Sequence, residues 1–205
     1  MFFPFELYGI IMIIYKYDDK NRRIKMVYEE KTMKCERVYE GKILNLRIDT
    51  VELPEKKYSK REIVEHPGGV GIVPITEDNS IVLVKQYRKA VNRMLYEIPA
   101  GKLEVNEEPR ETAIRELQEE TGYKANELKY LLEFYTSPGY CNEKIYLFLA
   151  SGLVEGESSP DNGEFIEQQK FNINELLKMI DRGEILDSKT IIGINMAKDY
   201  LESKI

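Results

Sequence analysis

Residues 101–123, GKLEVNEEPRETAIRELQEETGY, leave the chain few ways to fold, because they require a loop, a short helix and a stop in quick succession. Helical spacing over 106–121 puts Ala113, Ile114 and Leu117 on one side, with Pro109 in the permissive first turn and Gly122 at the end. Glu116, Glu119 and Glu120 are separated so that all three project toward one site. Neighbouring like charges cost a helix roughly 0.2–0.5 kcal/mol per pair, and a bland solvent face would scatter them among lysines. A bound divalent cation reverses the sign of that cost. Magnesium favours octahedral oxygen coordination through one or two carboxylates plus substrate phosphates, which suits this donor set. Arg115 can pair with Glu119 four residues on and fix its rotamer, while Glu107 lies at the helix start, where negative charge suits the dipole. Singly, each glutamate reads as part of a solvated acidic helix; together they read as a site.

The flanking sequence supplies a sheet for that helix to cover. Apolar and polar side chains alternate over much of 37–53, as half-buried antiparallel strands do, and Pro54 ends the run. Further strands are expected at 61–65, 70–75, 81–86, 130–135 and 144–150, and two amphipathic helices at 173–182 and 188–202, separated by Gly183. This order predicts a mixed α/β protein with helices over a central sheet. Residues up to about 65 form a small amino-terminal antiparallel sheet in this reading.

Composition narrows the function. A net charge of −6 over 205 residues argues against a general nucleic-acid binder, which normally presents a basic surface to phosphates. The single histidine, His66, excludes a histidine-rich metal site and leaves carboxylates and hard cations. Cys35 and Cys141 have no metal-ligand spacing and suggest a reducing cytoplasm without a disulfide framework. The apolar amino terminus, Phe2, Phe3, Phe5 and residues 7–15, lacks a preceding basic segment and is short for a bilayer span, so neither a signal nor a membrane anchor is expected. Residues 1–25 read as an extra segment, with Met26 as an alternative start.

Gly101, Glu107, Arg115-Glu116-Leu117, Glu119-Glu120 and Gly122-Tyr123 match the Nudix box at every fixed position, so the chain is identified as resembling the Nudix hydrolases. Three flanking stretches are similar to the ADP-ribose pyrophosphatase branch: Thr136-Ser137-Pro138-Gly139, residues 97–104 (EIPAGKLE) and Lys85-Gln86-Tyr87-Arg88. The resemblance implies a Nudix-type α/β/α sandwich with a mixed central sheet, a 26–65 dimerisation sheet, a 66–205 hydrolase domain, and a homodimer with exchanged domains. It also implies a Mg2+ site, with Mn2+ as the other candidate, formed by Glu116, Glu120, the Ala100 carbonyl, and Glu119 as a further ligand or activating carboxylate. Arg88 would contact phosphate and Glu97 the terminal ribose region. Arg61 and Glu62, from this chain or a partner subunit, would lie against the adenosine half, and Glu143 would take a polar substrate-side position.

The sequence departs from the family at Asp161-Asn162-Gly163-Glu164-Phe165, where relatives often carry paired acids. Asn162 cannot accept a proton as a carboxylate does, which leaves Glu164 as a metal-side acid or substitute base. The expected reaction is hydrolysis of ADP-ribose to AMP and ribose 5-phosphate, with Glu164 or a box carboxylate taking the proton from the attacking water. A pyrophosphatase for nucleotide sugars and a non-catalytic ADP-ribose sensor are the rival readings.

Overall fold

The computed structural model describes residues 29–159 and 165–203. Its first sheet is antiparallel, ordered β1 (Lys31–Glu40), β2 (Asn45–Leu53) and β3 (Lys57–Glu65). The alternating run expected over 37–53 is therefore a hairpin. It breaks at Gly41, whose N–H donates to the Leu44 carbonyl, and the first strand reaches back to Lys31. All ten residues of β1 are exposed, so no period-two burial contrast marks its beginning.

The mixed sheet has the order β7 (Ala100–Lys102), β4 (Gly69–Pro74), β9 (Lys144–Val154) and β8 (Lys124–Tyr135). β4 runs parallel to β9 and antiparallel to β7, and every one of its residues is buried. A third sheet, β10 (Glu167–Asn172), β5 (Ser80–Arg88) and β6 (Arg93–Glu97), joins it through an Ile75–Ile81 bridge.

Helices cover both sides. Ala113 and Leu117 of α1 (Pro109–Thr121) pack with Val70, Ile72, Val82 and Phe148. Leu176 and Met179 of α2 (Ile173–Asp181) and Ile194 and Ala197 of α3 (Ser188–Glu202) pack with Val73, Ile81, Leu83, Ile98 and Leu147. Val82 faces one cluster and Ile81 and Leu83 the other, which is why 81–86 reads as a nearly continuous apolar run, unbroken over 81–84. The result is the expected α/β/α sandwich.

α1 begins three residues later than its spacing suggested. Asn106 takes a left-handed φ of 65°, Glu108 is extended, and Pro109 is the first helical residue. A residue before proline is driven out of the helical region, so the helix cannot extend back through Glu108. Gly122, with φ of 72°, ends it. No helix among the described residues is long and apolar enough to cross a membrane.

Leu117 is 1% exposed and ties α1 to the mixed sheet. Leu117→Ala should lower unfolding free energy by about 2–5 kcal/mol in denaturant titration; a loss below about 1 kcal/mol would mean that α1 is not seated on that core.

Candidate active site

The carboxylates of α1 meet the mixed sheet at its short edge strand, β7. Glu120 is buried and accepts the Ala100 N–H at 2.9 Å. The Glu116 carboxylate lies against Gly101 so closely that a Cβ there would stand 1.9 Å from its carboxyl carbon. Only glycine leaves this cradle open, and any larger residue must displace Glu116. Arg115 gathers the rest: it donates to both oxygens of Glu107 at 3.0 Å, to Glu116 at 2.7 Å and to Glu119 at 2.9 Å. The Arg115 hydrogen bonds hold the Glu107 carboxyl at about 2, and the same contacts raise the guanidinium above its ordinary value, with Glu107 the largest cause. Among the described residues no ready-made metal cage exists, because Arg115 and the Ala100 N–H hold the box carboxylates. The donors nevertheless fit a hard divalent cation: three glutamates on the helix that packs against the β7 backbone, with no thiol or imidazole among them.

The strap from Glu97 to Ala100 is pinned at each step. The Ile98 N–H donates to Thr190 Oγ1, the Pro99 carbonyl accepts from Ile72, and Ala100 meets Glu120. Glu97, 2% exposed, accepts from Arg88 Nε and Nη2 at 2.7 and 2.8 Å. Its other partner is Lys189 Nζ, a residue the sequence reading missed. Burial would raise the Glu97 carboxyl, but the Arg88 hydrogen bonds and the Lys189 charge outweigh it and leave the group below its ordinary value. Arg88 is raised chiefly by the Glu97 hydrogen bonds, and Glu120 adds to the field it feels.

A cleft of about 430 Å³ is lined by Glu30, Arg61, Glu62, Tyr135, Pro138 and Tyr140 among others. The Val64–Cys141 bridge joins the end of β3 to this loop, and His66 N–H donates to Asn142 Oδ1. Arg61 is also held by Glu30, at 2.5 and 2.8 Å. Glu143 accepts from Thr136 Oγ1 at 2.7 Å and closes the loop. His66 Nδ1 accepts the Gly68 N–H and lies 3.4 Å from Glu143 Oε1. The cleft and the box share one end of the sheet, because Gly69 pairs with Lys102 on one side and Ile145 on the other.

Glu164 and Asn162 lie outside the described residues. The chain leading to them is anchored on α1: Ser159 N–H donates to the Glu119 carbonyl, and a Cβ at Gly122 would meet the Gly156 carbonyl at 2.8 Å.

The family model of the NUDIX domain matches residues 65–191. The chain belongs to the NUDIX family. This NUDIX protein is 45% identical over 178 residues to an ADP-ribose pyrophosphatase of Bacillus subtilis (strain 168), covering 86% of this chain and 94% of that one. It is 46% identical over 170 residues to a methanol dehydrogenase activator of Bacillus methanolicus, covering 82% of this chain and 92% of that protein. A crystal structure of an ADP compounds hydrolase shares the fold, with a TM-score of 0.78 at 20% identity over 88% of this chain and 98% of that one.

Glu107 lies below its ordinary 4.5, so its contribution to stability is present above that pH and lost as pH falls through about 2. In chelator, the parent should be more stable than Glu107→Gln above pH 4.5, with the gap closing toward pH 2; a gap independent of pH would contradict the Arg115–Glu107 pairing.

Proposed function

We propose that this NUDIX protein hydrolyses the diphosphate bond of ADP-ribose to AMP and ribose 5-phosphate. The observation that carries the reading is the meeting of Glu116 and Glu120 with the Ala100–Gly101 backbone, with Glu119 held beside Glu116 by Arg115 and the Arg88–Glu97 pair next to them. The Bacillus subtilis relative supports the substrate.

Glu116, Glu120, the Ala100 carbonyl and Glu119 would hold Mg2+, with Mn2+ as the substitute. When bound, the cation supplies charge neutralisation for the diphosphate and acidity for the attacking water. Arg115 keeps Glu119 and Glu116 oriented in its absence, and Arg88 supplies a fixed cation for a phosphate oxygen. Arg61 and Glu62 would contact the adenosine half within the 430 Å³ cleft. Glu143 shapes the same loop through Thr136. Glu164 or a box carboxylate would take the proton from the attacking water; the chain that precedes Glu164 is anchored on α1 at Ser159.

The 26–65 segment serves as a dimerisation sheet on the 66–205 hydrolase domain. The wholly exposed β1, with Met33, Val38 and Tyr39 open to solvent, supports exchange of this sheet with a second copy. Free Cys35 and Cys141 suit a reducing cytoplasm.

Glu120→Gln keeps an acceptor for the Ala100 N–H but removes the charge. Turnover of ADP-ribose with magnesium should fall by about 10²-fold or more while the melting temperature stays near the parent's. Near-normal turnover would sink the ligand assignment. Sedimentation should give a dimer, and a monomer at assay concentration would remove the exchanged sheet from the account.

A further inference from the structure

Lys189 lies in the first turn of α3, 13% exposed, with Nζ 2.5 Å from Glu97 Oε2 and 3.1 Å from Asp187 Oδ2. Asp187 caps the same helix, accepting from the N–H and Oγ1 of Thr190, whose hydroxyl in turn accepts the Ile98 N–H. A closed polar circuit thus joins α3 to the strap that carries Glu97 and Ala100. We propose that Lys189 is a positioning residue for the reaction, holding the orientation of Arg88 and balancing the net charge around it through Glu97; the proposal rests on the assignment of Arg88 to a substrate phosphate.

The charge count gives the reason. Arg88 and Lys189 balance Glu97 and Asp187, and Arg88 also lies within the field of Glu120. Glu97 takes Nε and Nη2 of Arg88, which fixes the guanidinium plane and turns the Nη1 edge outward from the pair. Without Lys189 the network gains one uncompensated negative charge beside the diphosphate position, and Glu97 Oε2 keeps only its bond from Arg88 Nη2. Both changes weaken binding of an anionic substrate more than they affect the bond-breaking step. A residue that only anchored α3 would change stability and leave KM alone.

The test is steady-state kinetics on the full chain with ADP-ribose and saturating magnesium, with melting temperature measured alongside. K189M should raise KM about tenfold with kcat within about threefold, and K189R, which keeps the charge, should return KM to within about twofold of the parent. R88Q should raise KM at least as much, and adding K189M to it should change little, because the two act through one group. A K189M enzyme with parental KM, or a K189M effect undiminished in the R88Q background, overturns the proposal. An R88Q enzyme with parental KM instead overturns the phosphate assignment on which it rests. If K189M does not fold, D187N decides: it keeps the cap oxygen, removes one negative charge, and should lower KM about twofold at low salt. A D187N value at or above the parent's overturns the charge role.

Discussion

The pairing of one guanidinium, Arg115, with three carboxylates is the constraint from which the rest of the site follows. Glu107, Glu116 and Glu119 all reach this one guanidinium, while Glu120 turns to the Ala100 N–H. Crowded like charges on one helical turn would otherwise repel, and the helix would favour rotamers that scatter them. Arg115 instead holds the acidic groups in an ordered arrangement on one side of α1, close to the β7 backbone. Gly101 completes it by letting Glu116 approach the strand.

A second layer of order stands behind the first. β4 is buried throughout and links the box loop to the loop around Pro138, while the strap from Glu97 to Ala100 is fixed by α3 on one side and α1 on the other. The two helices belong to separate apolar clusters on opposite faces of the sandwich. Site geometry therefore depends on both cores, and a cavity in either should loosen the strap.

The box and its helix were legible in the sequence because their roles depend on residue type at short fixed spacing. The buried strands β4 and β5 were legible because two covered faces give an unbroken apolar run. β1 was only partly legible, since a strand exposed on both faces has no alternation to read. The edge strands β6, β7 and β10 were missed because five, three and six residues carry too little pattern. Lys189 was invisible for another reason: its partner Glu97 is 92 residues away, and nothing local distinguishes it from a solvent lysine. Glu143, for which the resemblance implied a substrate-side position, accepts from Thr136 of its own loop, a contact that its sequence neighbourhood did not announce.

The account stands most directly on product analysis. Purified protein would be incubated with ADP-ribose and a set of nucleotide sugars, with magnesium present or chelated, and the phosphate products resolved. AMP and ribose 5-phosphate released only with the metal, and fastest from ADP-ribose, is the predicted result; tight binding of ADP-ribose with no product at any metal concentration would contradict it.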